Sequence, residues 1–123
     1  MSARQTLADA LTEALGTSWR VIPYDDNPTV LDPTVMFYRE RVDAGSTRGL
    51  VTHTFALHVV GPGQAGTSAA DDLDDLLDAV LDVLDTDDTL ARLTWSTAEY
   101  EVLGDTNPAF KITATLAERK EYL

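Results

Sequence analysis

The segment 70–88 most constrains the fold, because it combines an apolar stripe with nine aspartates and contains no lysine or arginine. Aspartates recur at the three- and four-residue spacing of one helical face, and leucines and valines fall on the other face. The acidic positions are Asp71, Asp75, Asp78, Asp82 and Asp85. The apolar positions are Leu73, Leu76, Leu77, Val80, Leu81 and Leu84. The pattern predicts an amphipathic helix of about four turns with one buried and one negative face.

The same aspartates locate the charge of the molecule. The formal net charge is −12, this segment supplies −9 of it, and the remainder of the chain is close to balance. We expect the aspartates of 71–75 in the first helical turn, where unpaired N–H groups and the positive dipole end favour negative charge. The aspartates of 85–88 lie at the opposite end, where the dipole gives no such stabilisation. A selected negative surface and a solvated face that aids solubility both explain that second group.

Length and composition indicate one domain, residues 1–123, with a single modest core, since 44% of the residues are hydrophobic. The sequence contains no run of 18 apolar residues and no basic segment followed by an apolar one at its start. We therefore expect neither a membrane span nor a secretory signal, and we expect the protein to be used in a cytoplasm. There is no cysteine, which excludes thiol nucleophiles and cysteine-ligated metals. His53 and His58 are predicted on opposite faces of a strand, so they cannot easily share a metal. We expect no specific metal site and no cofactor, and weak binding of divalent ions to the acidic face stays open.

Capping and periodicity predict the remaining elements. Ser2 and Gln5 match a capping box that opens a first helix ending at Gly16. Thr67 or Ser68 is the expected cap of the acidic helix. The predicted strands span residues 19–24, 34–42, 50–60, 93–102 and 109–116.

The predicted strands pair as two hairpins. Residues 34–42 and 50–60 form the first, with a mobile tip at 43–49, and residues 93–102 and 109–116 form the second, turned at 104–108. The order helix, strand, hairpin, helix, hairpin favours an α+β fold. We expect a mostly antiparallel sheet of about four to five strands with two helices packed on one face.

Few patterns indicate chemistry. Ser46, His53 and an aspartate lack the sequence context of a catalytic triad, and the glycines of 61–66 lack the lysine of a phosphate-binding loop. We therefore expect no enzyme activity. Near the tip of the first hairpin, Arg39, Arg41 and Arg48 form a local basic cluster.

Several short strings, taken in order, resemble the tail terminator proteins of long-tailed bacteriophages, especially those of actinobacterial hosts. They are W-R-V-I-P-Y at 19–24, P-T-V-M at 33–36, H-V-V-G-P at 58–62, D-D-L-D-D-L-L at 71–77 and G-D-T-N-P-A-F-K-I-T at 104–113. The resemblance covers nearly the whole chain and rests on layout, without a chemical signature.

The resemblance implies a structural virion protein at the head-proximal end of the tail, present in the host cytoplasm during assembly. Such proteins form a homohexameric ring that caps the tail tube, ends its polymerisation and joins the tail to the head connector. The implied partners are the chain itself, the tail tube protein and the head–tail connector protein, with DNA passing transiently through the channel and no membrane. A negative channel would repel the phosphate backbone and let DNA slide.

A closed ring needs two different complementary patches on each subunit. We expect Arg39, Arg41 and Arg48 to lie at the subunit interface, and the acidic helix to form a channel or docking surface. Two alternatives remain at this stage. One is another head–tail joining or minor tail protein, and the other is an acidic DNA mimic that inhibits a host protein.

Overall fold

Two helices and five strands alternate along the chain in the computed structural model, which describes residues 3–23, 32–44, 49–61, 67–87, 93–103 and 107–119. The helices are α1 (Ala3–Leu15) and α2 (Thr67–Thr86). The strands are β1 (Arg20–Pro23), β2 (Thr34–Ala44), β3 (Leu50–Val60), β4 (Leu93–Leu103) and β5 (Asn107–Arg119). Every predicted element is present in the predicted order.

The strands form one mixed sheet in the order β1-β2-β3-β5-β4. β1 runs parallel to β2, and all other neighbouring pairs are antiparallel. The two hairpins, β2–β3 and β4–β5, are joined through the β3–β5 ladder. This arrangement confirms the α+β fold with a mostly antiparallel sheet.

Both helices pack on the same face of the sheet, here called the helix face. Alternate residues of β3, namely Phe55, Leu57 and Val59, are fully buried there because successive strand residues point to opposite faces. The helices contribute Leu7 and Leu11 of α1, and Leu77, Val80 and Leu84 of α2. Burying an aliphatic side chain of this size stabilises a fold by roughly 1.5–3 kcal/mol, so this layer holds most of the core.

The opposite face of the sheet, here called the open face, carries a second and smaller apolar cluster. Met36, Val60, Leu103 and Ala109 are buried in it, and Ile22 packs against them. No described helix lies on this side. The open face is therefore partly core and partly polar.

The end of α1 follows the prediction. Gly16 has a φ of +85°, and its N–H donates to the carbonyl oxygen of Thr12 at 3.3 Å. A left-handed residue closes a helix in this way, and glycine adopts that conformation without a Cβ clash. Ser2 lies outside the described residues, and Gln5 donates its amide to the carboxylate of Asp9 at 2.8 Å.

The boundaries of α2 and of four strands differ from the predicted ones. β1 begins at Arg20, so Trp19 lies outside it, and Tyr24 lies outside the described residues. α2 begins at Thr67, one of the two residues predicted to cap it. The side chains of Thr67 and Ser68 lie outside the described part of the chain, so the cap stays a prediction. β2, β4 and β5 are longer than predicted, because backbone pairing with a neighbouring strand continues past the alternating residues. β5 begins at Asn107, inside the predicted turn, and the rest of that turn and the tip at 45–48 lie outside the described residues.

Candidate assembly surface

The exposed face of α2 is lined by carboxylates. Its leucines and valines face the sheet, as the stripe predicts, with Leu73, Val80 and Leu84 almost fully buried. The exposed aspartates are Asp72, Asp74, Asp75, Asp78, Asp82 and Asp85. Asp71 belongs to α2, but its side chain lies outside the described part of the chain. Four of the five predicted surface aspartates are thus exposed on one helix.

The helix dipole does not explain these aspartates. The first turn of α2 is Thr-Ser-Ala-Ala and contains no acidic residue, so the prediction that the aspartates of 71–75 crowd it is wrong. The favourable dipole effect falls off within that turn. Like charges four residues apart, such as Asp74 with Asp78 and Asp78 with Asp82, destabilise a helix by about 0.2–0.5 kcal/mol per pair. Helix stability therefore does not account for the acidic face.

Asp85 differs from the other aspartates because it forms a hydrogen bond between α2 and the sheet. Its Oδ1 accepts a hydrogen bond from Nε1 of Trp95 on β4 at 3.0 Å. Trp95 itself is half-buried and packs against the core on the helix face. No sequence pattern predicts this contact beyond the closeness of the two residues in the chain. One of the predicted channel residues thus also has a structural contact.

The predicted basic cluster is divided by a β-bulge at Glu40. Arg39 pairs in register with Phe55, whereas Arg41 pairs with Thr54. Because paired residues share a face, Arg39 lies on the helix face and Arg41 on the open face. Both are exposed, and Arg48 lies outside the described residues. The cluster is therefore not one patch.

Arg41 already has a partner within the chain. Its Nε donates to Oδ2 of Asp43 at 2.8 Å, and both side chains are exposed. An exposed pair of this kind contributes roughly 0–1 kcal/mol to stability. Arg41 therefore brings less uncompensated charge to an interface than Arg39.

The open face carries a polar pair that the sequence pattern did not predict, a buried histidine with a partly exposed glutamate. His58 of β3 contacts Glu101 of β4 through Nδ1 and Oε1, across the small side chain of Ala109 on β5. The imidazole is 4% exposed and stacks on Tyr38, with ring centroids 5.9 Å apart. His53 lies on the helix face beside Phe55, so the prediction that the two histidines face apart is confirmed. No local pattern links residues 58 and 101.

Two features are absent from the described residues, a cluster of metal-binding side chains and a membrane-spanning helix. They bring together no group of three or more histidine, aspartate or glutamate side chains that would hold a metal ion. Neither of the two described helices combines the length and apolar composition needed to cross a bilayer.

Three large hydrophobic side chains in the described part of the chain are exposed. They are Val42 on β2, and Tyr100 and Val102 on β4, with exposed fractions of 45%, 57% and 46%. By register all three belong to the helix face, at strands on opposite sides of the sheet. Exposed apolar groups near a sheet edge mark candidate contact surfaces.

No protein-family model matches this chain, and no curated protein is similar enough to indicate a relationship. The assignment of a function therefore depends on the sequence pattern and on the surfaces described above.

Proposed function

We propose that this protein is a structural component of a long-tailed bacteriophage, a tail terminator. It forms a ring on the end of the tail tube, stops tube polymerisation and joins the tail to the head connector. Catalysis plays no part in this role. The observation that carries the proposal is the continuous exposed carboxylate face of α2, on a helix whose other face is locked to the sheet.

A rigid negative surface suits a channel through which DNA passes. Double-stranded DNA carries about one charge per 1.7 Å of its axis, and affinity for it comes largely from lysine and arginine contacts to phosphates. The described residues of α2 contain none of these cations. A channel lined by the acidic face therefore repels the phosphates and does not retain the duplex.

The lateral distribution of charge suits a ring. α2 and β4 together carry aspartates and glutamates with no lysine or arginine. The exposed arginines Arg20 and Arg39 lie on β1 and β2, on the other side of the sheet. Two different and complementary sides are what a head-to-tail ring requires.

Light scattering with negative-stain imaging tests the role, first with the protein alone and then with purified tail tubes. We expect a species of about six times the 13.4 kDa chain, seen as an open ring, and rings at one end of each tube. Tubes assembled with the protein present should stop growing. Absence of self-association and of tube binding, with and without magnesium, contradicts the proposal.

A charge-neutralised variant tests the channel. Asp75→Asn, Asp78→Asn and Asp82→Asn replace exposed side chains, so the triple variant should fold and assemble normally. We expect wild-type rings to show no DNA retention in a gel-shift assay and the variant rings to retain more. DNA binding by the wild-type ring, equal to that of the variant, contradicts a repelling channel.

The exposed carboxylates also favour one alternative function, an acidic protein that mimics DNA and inhibits a host nucleic-acid-binding protein. A mimic needs carboxylates at the phosphate spacing over an extended surface, and here they concentrate on one helix of about 30 Å. Mixing the protein with purified tail tubes separates the two functions, because a DNA mimic would not bind to the tube ends. A different joining or minor tail protein would bind the particle at another position, which imaging locates directly.

A further inference from the structure

We infer that the outer edge of β4, which no described strand covers, contacts the opposite edge of the sheet in a second copy of this chain. This inference rests on the proposed function, because it identifies the contact through which the ring closes. In this contact the paired residues of the two edges lie opposite each other, and Arg39 is the arginine that contributes most.

The two edges differ in shape. Among the described strands, β4 pairs only with β5, so all eleven of its residues border one edge, here called the β4 edge. On the other side, β1 covers only Thr34–Phe37 of β2. The opposite edge, here called the β1–β2 edge, therefore consists of β1 followed by the part of β2 beyond Phe37.

Charge selects which edges meet. The β4 edge carries Glu99 and Glu101 and no cation, so two copies of β4 side by side would repel each other. The β1–β2 edge carries Arg20, Arg39 and Arg41, all exposed. Its two carboxylates, Glu40 and Asp43, are paired within the chain with Lys111 and Arg41. Opposite charges therefore favour pairing of the β4 edge of one copy with the β1–β2 edge of the next. Such a contact is heterologous and forms a ring when its rotation closes.

We infer that the strands run along the ring axis, and ring closure then sets which residues face each other. A closed ring has no net translation along its axis, so subunits whose strands follow that axis meet row against row. A row is a set of paired residues that lie side by side across the five strands. One row consists of Tyr100, Phe110, Val59, Val35 and Val21. In the ring, Tyr100 of one copy therefore meets Val21 of the next on the helix face. The neighbouring row brings Glu101 to Arg20 on the open face.

A second row assigns a partner to Arg39. The register runs from Trp95 through Ala114 and Phe55 to Arg39, all on the helix face. β1 does not cover this row, so the β2 backbone at Arg39 is set back by one strand spacing, about 4.8 Å, from the line of β1. The long side chain of Arg39 in the next copy spans that distance to Trp95 and to the Asp85 carboxylate bonded to it. An arginine beside an indole ring and a carboxylate gains from both cation–π and ionic attraction. Arg41 occupies a row that ends at Thr94, which carries no charge.

Cysteine cross-linking tests the row alignment, because the natural chain contains no cysteine. The variant carries Val21→Cys and Tyr100→Cys. Within one chain the two positions lie four strand spacings apart, roughly 19 Å, which is too far for a disulfide. We expect mild oxidation of assembled rings to give a ladder of cross-linked oligomers on a non-reducing gel. The control carries Val42→Cys and Tyr100→Cys, which lie in different rows, and should give no ladder.

A matched pair of charge reversals tests the assigned arginine. Arg39→Glu and Arg41→Glu change the same charge on the same exposed strand, two residues apart. We expect Arg39→Glu to weaken assembly at least tenfold in protein concentration and Arg41→Glu to change it less than threefold, with both monomers folded by circular dichroism.

Rings that form but cross-link only through the control pair, or that ignore Arg39→Glu, overturn this contact and leave the proposed function standing. Failure of the wild-type protein to self-associate, even with tail tubes, overturns both.

Discussion

The two faces of the sheet bury different kinds of side chains. The helix face is covered by α1 and α2 and is filled with aliphatic and aromatic side chains, including an edge-on contact between Phe37 and Phe55 at 6.5 Å. The open face has no described helix above it, and its small apolar cluster lies beside the pair of His58 and Glu101. The helix face gains stability from the apolar area that it buries. The open face gains it in part from one specific polar contact between β3 and β4.

This difference predicts how the free energy of unfolding responds to substitutions on each face. An apolar layer under two helices loses stability gradually as its volume changes, whereas a polar pair with a buried histidine depends on both of its members. The comparison is sharpened by variants that are matched in residue type and differ only in the face they occupy.

The largest difference is expected between two adjacent valines of β3. Val59 and Val60 are both fully buried, Val59 in the helix-face core and Val60 in the open-face cluster. Val59→Ala should lower the free energy of unfolding by about 2–3 kcal/mol and Val60→Ala by about 1–2 kcal/mol, since the smaller cluster collapses more readily around a cavity. Urea denaturation measures both. Equal losses would show that the two faces are packed alike.

The next effect concerns the polar pair. Glu101→Ala removes the carboxylate that contacts the buried imidazole of His58, and should lower the free energy of unfolding by about 1–2 kcal/mol. Glu99→Ala is the matched control, because Glu99 is exposed on the same strand and face and should cost less than about 0.5 kcal/mol. If the control costs as much as Glu101→Ala, the pair does not hold β4 in place.

The smallest effect is expected for the exposed carboxylate contact on the helix face. Asp85→Ala removes the acceptor of the Trp95 indole and should lower the free energy of unfolding by about 0.5–1 kcal/mol, because water replaces much of the lost bond. Asp82→Ala, another exposed position of α2, should have no measurable cost. A loss for Asp85→Ala that exceeds the loss for Glu101→Ala would reverse the order of the two faces.

The elements with strong periodicity were predictable from the sequence, and the contacts between distant elements were not. The stripe of α2 and the alternation in β3 specified which side chains meet on the helix face, because each pattern follows from local geometry. The alternation did not predict that Ala56, His58 and Val60, on the open face of β3, are buried as well. The sheet order depends on β3 meeting β5, and no local signal encodes that pairing. The division of Arg39 from Arg41 depends on one bulged residue, Glu40, which reverses the alternation that the sequence suggests.

The candidate surface was predicted in part for the same reason. Exposure of Asp75, Asp78 and Asp82 follows from helical spacing alone. The bond between Asp85 and Trp95 and the pair formed by His58 and Glu101 require the tertiary fold. The supposed dipole stabilisation failed because a helix start displaced by one turn moves the charges beyond the reach of the effect.

The position of α2 between the two hairpins bears on how the chain folds. Each hairpin pairs strands that are close in sequence, but the central β3–β5 ladder joins strands that lie on either side of α2. Closing that ladder orders a long loop, and the entropic cost grows with the number of free residues in it. α2 removes twenty residues from that number when it is helical. The acidic helix thus also shortens the segment that must close before the two halves of the sheet can meet.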